Sequence, residues 1–213
     1  MALWPALNQE PFLTEARMIT VITPPPTNML IATATAAREL AISDVTAGLQ
    51  ELIGQASDAC ARYCGRAEGF GRATVAQTER DIYAPCIVLG RDINPVVNSV
   101  VEDGVTLAAT AYELDGSLLY RLSDDMRAEW NAAKVVITYA AGYVLLTDTP
   151  QDLERACLAT LSAIYAARGR DPRIRSEAAD GVGSVSYLDP KAGAEALPVE
   201  AAALLGPYRK ISL

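Results

Sequence analysis

The chain of 213 residues contains no histidine. That absence excludes Ser/His/Asp and Cys/His catalytic arrangements and every zinc site that uses imidazole. Lysine is nearly missing too: Lys134, Lys191 and Lys210 are the only three, a poor basis for Schiff-base chemistry. Aromatic residues are few, with two Phe and two Trp, so the apolar content rests on Ala, Leu, Val and Ile. No apolar run approaches the roughly 18 residues of a membrane span. The N-terminus lacks the basic and apolar regions of a signal peptide, and Pro5, Glu10 and Pro11 interrupt it. A cytosolic chain, or one assembled from the cytosol, is expected. No GxSxG or GxxxxGK[ST] motif occurs, and Gly181 and Gly183 lack the strand–glycine–helix context of a phosphate cradle. No cofactor or metal is expected.

Basic residues are outnumbered, 18 against 26 acidic, for a net charge of −8. Nucleic-acid affinity depends on neutralising phosphates, so a DNA-gripping role is disfavoured, and no helix carries a basic face. The deficit is uneven: residues 73–145 hold ten acids and five bases. Glu102, Asp103, Asp124 and Asp125 stand out there, and a solvated surface is the plain reading of such charges. Cys60, Cys64, Cys86 and Cys157 do not make a secreted disulfide framework in a chain this long. Cys60 and Cys64, four apart on a predicted helix, share one face and read as small buried hydrophobes.

What is present predicts an α+β chain. Residues 1–28 read as an extended arm with a β-prone run at Ile19–Ile22, closed by Pro24-Pro25-Pro26. A short Ala-rich helix from Met29 to about Ile42 follows. A stronger helix, capped by Ser43 or Asp44, buries Leu49, Leu52, Ile53, Ala56, Cys60, Tyr63 and Cys64 and stops at Gly65. Residues 73–145 change to strand periodicity. Asp103-Gly104 and Asp115-Gly116 each mark a two-residue hairpin, and Lys134–Ala141 alternates Val135, Ile137 and Tyr139 on one face. An antiparallel β-meander inserted between helices is therefore expected. Thr149-Pro150-Gln151-Asp152 predicts a helix start, with Thr149 as cap and Pro150 at the first helical position. The domain reading is an arm at 1–28, a helical core of two to three main helices at 29–170 and an extended C-terminal arm at 171–213. That arm holds a short strand, Ser184–Tyr187, and a helix from Leu197 to Leu205.

The order of these motifs resembles the head–tail connector (head-completion adaptor) family of long-tailed phages and gene transfer agents. The resemblance runs from Ile22-Thr23-Pro24-Pro25-Pro26 through Arg62-Tyr63-Cys64-Gly65-Arg66 and Ile93-Asn94-Pro95-Val96-Val97. It continues through Val136-Ile137-Thr138-Tyr139-Ala140-Ala141-Gly142-Tyr143 to Gly183-Ser184-Val185-Ser186-Tyr187 and Leu204-Leu205-Gly206-Pro207-Tyr208-Arg209. The first helix departs from the family's basic ending, reading Arg38-Glu39-Leu40. The resemblance implies a non-enzymatic virion protein, made in the host cytoplasm, whose copies form a ring, dodecameric to match the portal. The ring would sit under the portal protein, extend the DNA channel and receive the next connector or tail protein. DNA only passes through it, and no membrane is involved. Val185, Tyr187, Leu197, Leu204, Leu205, Tyr208 and Arg209 are then candidate docking residues for portal or neighbour. Glu102, Asp103, Asp124 and Asp125 are candidate channel-facing acids. Removing residues 176–213 is expected to leave a folded core that no longer docks. The alternatives are a tail-completion or neck protein further down, or a small ligand-binding or enzymatic α+β domain.

Overall fold

The computed structural model has the expected α+β composition and describes residues 17–42, 47–168, 176–179, 183–186 and 197–210. The candidate caps Ser43 and Asp44 lie outside the described residues. Two compact units share the chain: residues 17–23 with 73–141 form a β unit, and residues 24–72 with 142–210 belong to a helical one.

The β unit contains β1 (Met18–Thr23), β2 (Ala73–Ala84), β3 (Ile87–Val88), β4 (Val96–Glu102), β5 (Val105–Thr106), β6 (Tyr112–Asp115), β7 (Leu118–Ser123), β8 (Met126–Ala128) and β9 (Trp130–Ala141). Its strands pair antiparallel, but their order is not a simple meander. The larger sheet runs β1-β2-β9-β4-β5, and the smaller one runs β3-β7-β6 with β8 on β7. The last strand thus inserts between two earlier ones. β9 pairs with β2 along one edge and with β4 along the other, and its Val135, Ile137 and Tyr139 are wholly buried. The N-terminal β-prone run is the edge strand β1, registered with Ile19 opposite Gln77 and Val21 opposite Val75.

Two-residue turns fix the hairpins. Asp103 and Gly104 have φ of 47° and 87°, and Asp124 and Asp125 have φ of 51° and 59°. Two successive positive φ values define a type I′ turn, whose twist matches the flanking strands. The Asp115-Gly116 hairpin sits one residue later than expected, because Asp115 pairs with Leu118 and the loop is Gly116-Ser117. Glycine takes the first loop position, where φ is +59°. The core centres on Trp130, whose Nε1–H donates to the Leu119 carbonyl at 3.0 Å. Beside it, buried Gln77 is fully engaged. Its amide NH2 donates to the Val88 carbonyl (2.9 Å), and its oxygen accepts from the Gly90 N–H (2.8 Å) and the Tyr139 hydroxyl (3.0 Å). Burial pushes the Tyr139 phenol up, so it serves as a neutral link in this network.

The helical unit contains α1 (Thr33–Glu39), α2 (Ala47–Tyr63), α3 (Gln151–Ala166) and α4 (Val199–Leu205), with the antiparallel hairpin β10 (Ser176–Ala179) and β11 (Gly183–Ser186). α2 buries Leu49, Leu52, Ile53, Ala56, Cys60 and Cys64 of the stripe its spacing predicts, while Tyr63, expected among them, is only half-buried. Its end is a Schellman motif: Gly65 N–H donates to the Arg62 carbonyl and Arg66 N–H to the Ala61 carbonyl, both at 2.9 Å, with Gly65 at φ +68°. Thr149 does not cap α3. Its hydroxyl oxygen accepts from the Leu146 N–H at 2.9 Å, and Pro150 itself occupies the cap position.

Gly142, at φ +113°, carries a close backbone approach within the helical unit. A Cβ there would collide with the Gly71 carbonyl oxygen and stand 2.7 Å from Arg72 Cα. Flanking bonds hold the two segments together: Arg72 N–H to the Tyr143 carbonyl (2.8 Å) and Tyr143 N–H to the Phe70 carbonyl (2.9 Å). Gly142→Ala is expected to cost about 2–4 kcal/mol, since both the φ and the space are wrong for a side chain. Urea unfolding monitored by circular dichroism measures it; a loss below about 1 kcal/mol would contradict the packing argument.

Candidate functional site

The C-terminal residues expected to form an extended arm are, over 197–210, part of the helical unit. Ala201 and Leu205 of α4 are wholly buried in it. Lys210 N–H donates to the Cys64 carbonyl at 2.8 Å, and Arg66 Nε donates to the Tyr208 carbonyl at 2.9 Å. The Tyr208 ring meets Phe70 edge-on at 6.4 Å. Leu205 is therefore a core residue rather than a free docking anchor. Leu197, Leu204 and Tyr208 are half-buried, and Arg209 is exposed with its guanidinium 5.5 Å from the Tyr63 ring centroid. Val185 stands in β11 opposite Glu177, while Tyr187 lies outside the described residues.

α2 and α3 leave a groove of about 610 Å³ inside this unit. Asp58, Arg62 and Tyr63 line one wall from α2, Ala163 and Ile164 another from α3, and Leu197 and Arg209 close the end. Two of the seven expected docking residues, Leu197 and Arg209, are thus brought together on one concavity. Sequence reasoning missed Arg62 and Tyr63 as its neighbours. Arg62 points away from the buried stripe of α2, which was the signal for it, whereas the spacing had placed Tyr63 within that stripe. An Arg pair beside an aromatic ring suits an extended peptide with acidic groups better than a small apolar ligand.

The acids of the β unit have local structural duties. Glu102 pairs with Arg121 at 3.2 Å, and Arg121 also donates to the Ala111 and Leu122 carbonyls. Asp103 accepts from the Lys134 N–H at 2.8 Å through its carboxylate and donates its own N–H to the Lys134 carbonyl. Asp124 and Asp125 are the exposed centre of their turn, a conformation that Asp tolerates better than most residues. Arg127 bridges Glu113 (3.1 Å) and Asp115 (3.4 Å) while lying 3.7 Å over the Tyr120 ring. Among the described residues no cluster of three or more Cys, Asp or Glu is arranged to hold a metal ion, and no helix is long and apolar enough to cross a membrane.

The other notable surface is the outer edge of β1. Every residue of that strand is exposed, including Met18 (54%), Val21 (46%) and Ile22 (54%), and among the described residues only β2 pairs with it. An open edge that is apolar on both faces is a template for another chain's strand.

No protein-family model and no curated protein matches the sequence. The fold is similar to that of a chain in the neck of an empty gene transfer agent (GTA) particle computed with C6 symmetry. That pair has 17% identity and a TM-score of 0.58, over 92% of this chain and 97% of the other. A chain in the virion of a native gene transfer agent particle matches over the same shares, at 16% identity and a TM-score of 0.58. A third similarity, at 16% identity and a TM-score of 0.54, is to a chain in the neck of a native particle computed with C12 symmetry. At these identities the likeness is one of fold, and it spans nearly the whole of both chains.

Proposed function

We propose that this protein is a structural head–tail connector of a tailed phage or gene transfer agent, without enzymatic activity. Its copies form a ring below the portal protein, extend the DNA channel and present a platform for the next connector or tail protein. The observation that carries this reading is the end-to-end similarity of fold to chains from gene transfer agent necks and virions. The order of sequence motifs supports it independently. The twelvefold symmetry given for one of those necks supports a dodecamer. In this reading the β1 edge joins neighbouring copies, and the groove with Leu197 and Arg209 receives a segment of the portal. The net charge of −8 suits a channel that lets DNA slide rather than one that holds it.

Electron microscopy of the purified chain, alone and mixed with its portal, tests the reading. Rings seated on the portal are the expected result; particles that remain single and never join the portal would overturn it. Ile22→Lys in the same experiment should abolish rings while moving stability by no more than about 0.5 kcal/mol, because the side chain is exposed. Undiminished rings would remove β1 from the subunit interface.

A further inference from the structure

The interface between α2 and α3 contains a polar ladder that the neck reading does not use. Ser57 and Cys60 stand one turn apart on α2, and Cys157 and Thr160 one turn apart on α3. All four are buried, the two thiols completely. The Ser57 hydroxyl donates to the Ile53 carbonyl and the Thr160 hydroxyl to the Ala156 carbonyl, each at 2.8 Å. With both hydroxyl protons committed inside their own helices, the thiols must be the donors across the interface. Cys157 donates to Ser57 Oγ at 3.5 Å and Cys60 to Thr160 Oγ1 at 3.7 Å. Ser57 Oγ also accepts the Leu30 N–H at 3.1 Å, which completes its partners. Both contacts cross the interface in the same sense, so Cys60 and Cys157 stand on neighbouring rungs, one on each helix, along the diagonal between them.

We propose that Cys60 and Cys157 are a reversible oxidation site, forming an intrachain disulfide that ties α2 to α3. The oxidant is a low-molecular-weight disulfide such as oxidised glutathione. One protein thiolate attacks it, forming a mixed disulfide and releasing one glutathione thiolate. The second protein thiolate then attacks the protein sulfur of that mixed disulfide and expels the other glutathione. Two S–H bonds are lost, one S–S bond forms, and two electrons reduce one oxidised glutathione to two glutathione molecules. The reaction draws on transient opening of the helical unit, because neither sulfur is reachable when it is closed. The contact with Cys60 and burial both push the Cys157 thiol up, whereas the contact with Cys157 lowers the Cys60 thiol; the quiet of the closed state rests on the burial of both sulfurs.

The neighbours differ. Cys64 lies one turn further along α2, burial raises its thiol to about 11, and its sulfur is 3.7 Å from the Leu205 carbonyl on α4. Cys86 belongs to the β unit. One pairing is therefore favoured over the alternatives. On the neck reading a particle leaves the reducing cytosol, and the cross-link would form after release; the chemistry itself stands without that reading.

The full chain is incubated with oxidised glutathione, alkylated and digested with trypsin without reduction. Cleavage after Arg62 separates Cys60 from Cys64. The expected result is a chain lighter by two hydrogens, with the Cys60 peptide linked to the Cys157 peptide. The melting temperature should rise by roughly 5–10 °C, and dithiothreitol should reverse the rise. Cys64→Ser and Cys86→Ser should retain the link, and Cys60→Ser and Cys157→Ser should lack it. Linkage of Cys157 to Cys64 or Cys86 would overturn the proposal. So would Cys60 and Cys157 both recovered alkylated after oxidation at a temperature where the helical unit opens.

Discussion

A chain truncated after residue 196 should lose the cooperative fold of its helical unit, not merely a docking element. The truncation removes Ala201 and Leu205 from the core, and with them the Lys210 N–H bond to the Cys64 carbonyl. It also removes the Tyr208 carbonyl that accepts from Arg66, a residue only 5% exposed, and the Tyr208 ring that packs on Phe70. Burial of the apolar groups contributes about 3–4 kcal/mol and each lost hydrogen bond at a buried group about 1 kcal/mol or more. The sum is about 5 kcal/mol, comparable to the whole stability of a small unit. Hydrogen exchange read by mass spectrometry should show α2 and α3 amides exchanging quickly, while β2 and β9 stay protected. Protected α2 and α3 amides would show that α4 is dispensable. Docking is therefore better probed by Arg209→Glu, at an exposed position, than by deletion.

Trp130→Ala is the largest single substitution expected in the β unit. Trp130 is wholly buried among Leu119, Val100, Ile137 and their neighbours, and its indole satisfies the Leu119 carbonyl. Removing the ring costs about 3–5 kcal/mol through lost burial and the cavity left behind. The Leu119 carbonyl then loses its donor, adding about 1 kcal/mol. Trp130→Phe separates these contributions, since it keeps most of the packing and loses only the donor; it should cost about 1–2 kcal/mol. Chemical denaturation of the three proteins measures both. Equal losses for Ala and Phe would mean that the hydrogen bond, not the packing, carries the site.

Local signals were legible in the sequence wherever one residue type answers one backbone demand. Gly65 ends α2, Asp103-Gly104 turns β4 into β5, and the Val135-Ile137-Tyr139 alternation marks β9. Strand β2 was harder to see because its second half reads Glu79-Arg80-Asp81, polar in composition. It is a strand because β9 pairs along nearly its full length. Strand order failed for the same reason: β9 reaches both β2 and β4, a long-range choice that no local spacing encodes. Gln77 looks like an ordinary surface residue in sequence, and only its four neighbours explain its burial. At the candidate site, Leu197 and Arg209 were legible as candidate docking residues of the C-terminal arm, but not as neighbours on one groove. Leu205 was not separable from Leu204, because α4 has only seven residues in which to declare its buried face.

The division of the chain also orders its synthesis. The β unit has all its strands once residue 141 has emerged from the ribosome, and it can close its core at that point. α2 is made long before but must wait for α3 and then for α4, whose Leu205 seals the core against it. For that interval its apolar stripe, including Cys60 and Cys64, has the short α1 beside it but lacks the cover of α3 and α4, and it is the part of the nascent chain that a chaperone would find.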